Sequence, residues 1–169
     1  VRLRRRLRMT TLQKEESLGM VVYRAVDDDL WDLVAGGELM HAESPVFRDV
    51  PFVKKEAAAF VYSHIHDDNK CCFVAKNEMG ICGAMLGMAV PAMMGLELHA
   101  HEEILYALPQ ERGESAGKKL MEAFIHWGEA KGCKRFWTGS STGIDTKGYN
   151  QLIDQFGFTK AGEVFYKHG

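Results

Sequence analysis

Residues Arg112, Gly113, Glu114, Ser115, Ala116, Gly117 and Lys118 put two glycines, small side chains and two cations at the mouth of a helical pattern. A strand-like run, Ile104 to Leu108, enters this turn through Pro109. The first backbone N–H groups of a helix have no intrahelical acceptor, and with the helix dipole they favour an anion, usually a phosphate. The turn departs from two familiar phosphate loops. A Walker A loop needs four residues between its glycines and Ser or Thr after the lysine; here three residues separate Gly113 from Gly117, and Lys119 stands in the hydroxyl's place. The dinucleotide fingerprint Gly-x-Gly-x-x-Gly is absent, and the preceding run is a meander, not the opening of a βαβ pair.

Just upstream, side-chain alternation puts His99, His101 and Glu103 on one face of a strand and Ala100 and Glu102 on the other. Two imidazoles on one face can hold a metal, yet no third ligand follows at a clear spacing, so none is expected. His64 and His66 do not share a helical face and precede two aspartates, which reads as solvated.

The elements that must carry these residues follow from periodicity. "MVVYRAV" reads as a strand, "DDDLWDLV" as a helix stopped by Gly36-Gly37, and "PFVKKEAAAFVYSHI" as a helix with Pro51 at its start. "CCFVAK" and "GICGAMLGMAVP" are strands joined by the short link "NEMG", an antiparallel hairpin, and the second is apolar on both faces, as a central strand would be. "HAHEEILYAL" is a strand, residues 115–131 a helix with Leu120, Met121, Phe124, Ile125 and Gly128 on one face, "KRFWTGS" a strand, "DTKGYNQLIDQF" a helix and "EVFYKH" a final strand. The order is β-α-α-β-β-β-α-β-α-β, an α/β domain with a mixed sheet over residues 20–169. Five of the nine methionines, Met79, Met85, Met88, Met93 and Met94, cluster together and read as core, or as an adaptable wall beside "AVPAMMG".

The chain has 169 residues, 46% hydrophobic, and no apolar run long enough for a membrane span. A net charge of −2 hides the basic start "VRLRRRLR", read with the rest of residues 1–19 as a flexible extension; the remainder is acidic, which argues against a nucleic-acid partner. Cys71, Cys72, Cys82 and Cys133 have no Cys-x-x-Cys spacing and read as buried, reduced thiols of a cytoplasmic protein.

The turn resembles the pyrophosphate loop of the GNAT superfamily of N-acetyltransferases, Arg/Gln-x-x-Gly-x-Gly/Ala, here Arg112 to Gly117 with Ser115 in the place of glycine. "LYALPQERG" resembles the family's fourth strand and its entry to the loop, and Gly157-Phe158 its Gly-Phe motif. With the element order, the resemblance runs over roughly residues 20–168, and bacterial and phage members are the type it is most similar to. It implies a mostly antiparallel sheet with a parallel strand–helix–strand crossover, and a splay between the fourth strand and "KRFWTGS". It implies acetyl-CoA as co-substrate, no metal, and a small-molecule or peptide amine as acceptor, with no membrane partner; a homodimer stays open.

Residue by residue, the resemblance lays the pyrophosphate on the turn, Arg112, Gly113, Glu114, Ser115, Ala116, Gly117 and Lys118, with Thr146 nearby. The pantetheine arm then pairs along Leu105, Tyr106, Ala107 and Leu108. Attack by an amine on a thioester needs a neutral amine, a stabilised carbonyl oxygen and protonation of the departing thiolate, the first and last of which a base and an acid can serve. Glu102 best matches the family's frequent base, with Glu103 the register alternative. The family's usual acid tyrosine is Ile153 here; Tyr149, one turn earlier on the same face, is the best substitute, with Ser140 and Ser141 behind it. Trp31 and residues 41–52, with Glu43, Arg48 and Asp49, are implied over the acceptor side. The alternative reading is a GNAT-fold protein that binds CoA or a partner without turnover.

Overall fold

A computed structural model describes residues 19–113 and 115–169, so the arginine-rich arm and Glu114 lie outside the described residues. Val21–Arg24 (β1), Lys70–Asn77 (β2), Gly80–Pro91 (β3), Leu98–Ala107 (β4) and Arg135–Trp137 (β5) make one sheet in the order β1-β2-β3-β4-β5. The first three pairings are antiparallel and β4–β5 is parallel. The apolar strand β3 is central, as its two-faced pattern requires. Gly80 closes the β2–β3 hairpin at φ 120°, a backbone state that L side chains rarely adopt.

Helices cover both faces. Adjacent cysteines report this: Cys71 packs with Met85, Ala100 and Phe124 beneath α3 (Ser115–Ala130), and Cys72 packs with Val74, Leu33 and Val61 beneath α1 (Leu30–Glu43) and α2 (Lys54–His66). Alternation sends neighbours to opposite sides, and both are fully buried. Burial pushes both thiols up to about 12, so they stay protonated and unreactive, and all four cysteines are free and buried. On α3, Leu120, Met121 and Phe124 are fully buried, which fits the single apolar face read from the sequence. A last helix, α4 (Thr146–Gln155), is capped by Asp145, whose carboxylate accepts from Gly148 N.

Four expectations are corrected. α1 runs through Gly36-Gly37 to Glu43, because the packed residues Leu33 and Val34 lie on the same helix and hold it in register past the weak pair. α2 starts at Lys54 with Val53 as its N-cap, three residues after Pro51. No strand forms over residues 163–168: Val164 and Phe165 are exposed, and without a neighbouring strand to complete a ladder the alternating pattern has nothing to pair with. Met93 and Met94 project into solvent from the β3–β4 loop, whereas Met85 is fully buried.

Candidate active site

The site is built on one irregularity in β4. Leu86 pairs with Ile104 and Gly87 pairs with Glu102, so Glu103 is an extra residue with no partner across the ladder. A bulge of this kind bends the strand and turns successive side chains to one face. Glu103 and Ile104 accordingly both face α1 and α2, where Glu103 meets His64 and Ile104 joins the core below the helices. Glu102 points the other way, toward the end of β5. Gly87 lies opposite the bulge because nothing larger fits: a Cβ there would come within 2.7 Å of the Phe124 ring and 2.8 Å of the His101 carbonyl oxygen.

The two parallel strands part at the same level. Pairing ends at His101 with Trp137, and beyond it a cleft of about 390 Å³ opens between β4, the Arg112–Lys118 turn and α4. Backbone N–H and C=O groups of β4 that β5 no longer meets are left for an extended ligand to pair with, as an added strand would. Below the gap, His101 stacks on Trp137 at 5.9 Å, and Trp137 Nε1 donates to His99 Nδ1 at 3.1 Å, so this histidine pair belongs to an aromatic cluster.

Inside the cleft, Thr138 Oγ1 donates to Glu102 Oε2 at 2.8 Å and also contacts the Tyr149 hydroxyl, which lies 3.5 Å from the same carboxylate oxygen. Burial raises the Glu102 carboxyl above its ordinary range against these hydrogen bonds. Burial also raises the Tyr149 hydroxyl, with the Glu102 charge adding to it, so the phenol is protonated at neutral pH. On the opposite face His64, fully buried, contacts the Phe60 carbonyl through Nδ1 at 2.8 Å and Glu103 Oε2 through Nε2 at 2.5 Å. The Phe60 carbonyl can accept only from an Nδ1–H, so Nε2 is the ring nitrogen turned to the carboxylate. The expectation of a solvated His64 is thereby corrected: Val61, His64 and Ile65 share the inward face of α2. His66 is exposed and meets Asp27.

The turn itself has Gly113 at φ 82° and α3 starting at Ser115, so the first-turn N–H groups lack intrahelical acceptors. Gly117 sits close under Leu152, with 3.3 Å available for a Cβ. Arg112 turns inward: Nε donates to Ala107 O at 3.0 Å, and both terminal nitrogens engage the Glu43 carboxylate, NH2 at 2.7 Å. Tyr106 OH donates to the same carboxylate at 2.9 Å beneath the guanidinium, 5.3 Å from its ring centroid. Arg112 holds Glu43 below the usual carboxylate range. This cluster ties the end of α1 to the end of β4. Nearby, the buried Ser44 Oγ donates to Thr142 O at 2.6 Å and accepts from Val46 N and Phe47 N, clamping the loop after α1 to the loop before α4.

This arrangement of strand, splay, bulge and helix-capped turn matches a known family. Residues 36–158 fit the model of the acetyltransferase (GNAT) family. The chain belongs to that family. A GNAT acetyltransferase uses acetyl-CoA, and this one is an acyltransferase. Its fold is shared with solved structures of low identity. A transcriptional regulator from Bacillus halodurans C-125 is 20% identical, with a TM-score of 0.72 over 89% of this chain and 100% of its own. The aminoglycoside N-acetyltransferase AAC(6')-Iy in complex with CoA is 15% identical, with a TM-score of 0.71 over 90% and 95%. Glucosamine-6-phosphate N-acetyltransferase from Arabidopsis thaliana is 15% identical, with a TM-score of 0.65 over 89% and 98%. A search of curated protein sequences gives no significant match.

The cleft of this GNAT acetyltransferase has room for the donor: an open strand edge leads from Glu102 and Tyr149 to a helix N-terminus whose glycines admit a close backbone approach. Among the residues expected from sequence, Leu105, Tyr106, Ala107, Arg112, Gly113, Gly117 and Lys118 line it, with Glu102, Glu103 and Tyr149 at its inner end. Ser140 and Ser141 also line it. Leu108 lines a different cavity, Ala116 is fully buried in the core, and Thr146 is exposed at the start of α4. Arg48 and Asp49 are exposed on the loop before α2, and Trp31 on α1. Sequence reasoning missed Thr138, Ser44 and the role of His64. Only the last had a signal, its spacing from Val61 on an apolar stripe.

Proposed function

We propose that the protein is an N-acetyltransferase that moves the acetyl group of acetyl-CoA to a primary amine by direct attack. The observation that carries the reading is the mouth of the splay, where alternation presents two adjacent carboxylates on opposite faces of β4 and the bulge sets Glu103 beside Ile104 on the α1–α2 face. Acetyl-CoA supplies the electrophilic thioester. Glu103, facing α1 and α2, takes the proton from the amine nitrogen, and buried His64 holds its carboxylate and shares its charge. On the other face the Tyr149 hydroxyl donates to the departing sulfur, positioned by Thr138 and Glu102. Glu102, lifted by burial, can return the proton to Tyr149 between turnovers. One C–N bond forms and one C–S bond breaks; solvent then takes the proton from Glu103 and supplies one to Glu102, so the net transfer is one proton from nitrogen to sulfur. The α3 N-terminus and Lys118 hold the pyrophosphate, while Arg112 braces the loop from behind through Glu43.

Calorimetric titration with acetyl-CoA, with ATP as control, tests the binding half. Saturable heat with acetyl-CoA alone is expected; a flat acetyl-CoA trace from folded protein would overturn it. Thiol release with a panel of amines tests the transfer half. Binding without release from any amine would identify a CoA-binding protein without turnover.

A further inference from the structure

A second cavity, about 690 Å³, lies on the α1–α2 face of the sheet. Its walls include Leu33 and Leu39 of α1, Phe52 before α2, Phe60 of α2, Ile81 of β3 and Leu108. Its carboxylates, Asp32 and Glu56, are both on solvent-exposed residues. The size is within the range of about 300–1,000 Å³ typical of small-molecule pockets, and the lining is mostly apolar. Met40, Ile104 and Tyr106 line both this cavity and the first cleft, so the two spaces share a wall. The apolar wall is left wet, with Leu39 54% and Phe60 37% exposed. The middle of α1 also carries Gly36 and Gly37, and both line the cavity. Mid-helix glycines are destabilising relative to alanine. Here the missing side chains keep the wall open: a Cβ on Gly36 would meet nothing within 4 Å, and one on Gly37 only the Phe52 ring, at 3.8 Å.

We infer that the acceptor is a primary amine with an aliphatic or aromatic body, and that this cavity holds the body. The inference rests on the acetyl-transfer reading. The amine nitrogen must reach Glu103, and the bulge puts Glu103 on the same face as Ile104, the wall common to both spaces. Carbons attached to that nitrogen therefore lead over Ile104 and Met40 into the cavity. In the acetyl-transfer reading the acyl group sits in the splay beside Thr138 and Tyr149, which lie together there, and does not need this space. A polyhydroxylated or polycationic acceptor would lay unpaired polar groups against hydrocarbon, which is unfavourable.

The test measures thiol release from acetyl-CoA by the full chain with n-propylamine, n-butylamine, n-hexylamine, n-octylamine and 2-phenylethylamine, beside spermidine, glucosamine and kanamycin. Basicity is nearly constant along the alkyl series, so chain length reports burial. The specificity constant kcat/KM should rise about threefold per methylene, on the order of 30-fold from propyl to hexyl. Gly37→Leu should lower the hexyl-to-propyl ratio roughly tenfold while thermal unfolding stays cooperative. If that variant does not fold, Gly36→Leu, whose side chain has open space, replaces it. A flat alkyl series, or a preference for the polar amines, overturns the inference and leaves acetyl transfer standing. So does a chain-length gain seen only on the donor, with butyryl- and octanoyl-CoA. Acetyl-CoA binding with no thiol release from any amine removes the acetyl-transfer reading, and this one with it.

Discussion

Gly87→Ala probes the bulge on which both carboxylates depend. The new methyl would stand 2.7 Å from a Phe124 ring carbon and 2.8 Å from the His101 carbonyl oxygen. Phe124 is fully buried, and the carbonyl is main chain of β4 one residue before Glu102. To reach ordinary contact, β3 and β4 must part by at least about half an ångström at this level. Overpacking of this kind costs about 1–3 kcal/mol, partly offset by the lower entropy of the unfolded alanine chain. For a domain of this size the melting temperature should fall by about 2–10 °C. The same displacement moves Glu102 and Glu103 off their partners, and a misplacement approaching 1 Å can cost on the order of 100-fold in rate. We expect kcat to fall at least tenfold, with acetyl-CoA affinity nearly kept, because the turn at Gly113–Gly117 is at the far end of β4. Calorimetric melting and thiol release with the best amine measure both. An alanine variant with unchanged melting temperature and unchanged kcat would refute the claim that this close approach sets the geometry of the site.

Three further outcomes are expected. Tyr149→Phe keeps the ring and removes the donor, so kcat should drop about 10- to 100-fold with little change in the Kd for acetyl-CoA; equal turnover by the variant would take Tyr149 out of the mechanism. Glu102→Gln should change the pH dependence of stability. Because burial raises the folded carboxyl above its unfolded value, its stabilising contribution is full below the ordinary carboxyl range and is lost as pH rises through the raised value. The variant should therefore gain on the wild type from pH 4 to pH 8, and a difference independent of pH would show that the carboxyl is not shifted. His64→Leu leaves the Glu103 carboxylate without its partner in a half-buried position, a loss of about 1–3 kcal/mol in urea unfolding. His64→Leu with Glu103→Leu should recover part of it; a double variant as weak as the sum of the two would contradict the pairing.

Much of this protein is set by local sequence. The hairpin at Gly80, the central apolar strand, the amphipathic face of α3 and the turn at Arg112–Gly117 are each written in a few neighbouring residues, because periodicity, glycine and helix-start chemistry act at short range. The same range explains the errors. Gly36-Gly37 reads as a stop by propensity, but packing of α1 on the sheet overrides it, and 163–168 reads as a strand although strands exist only where a partner completes them. What the sequence could not give is the inner end of the cleft. Glu102 and Glu103 are adjacent, and alternation alone sends them to opposite faces. Which one meets His64, thirty-nine positions away, and which meets Thr138 and Tyr149, follows from a register slip against Gly87 and from where β5 leaves β4. Arg112 likewise reads as a free cation in the turn and is spent on Glu43, sixty-nine positions back. Contacts across such separations depend on how whole elements pack, and only the tertiary structure decides them.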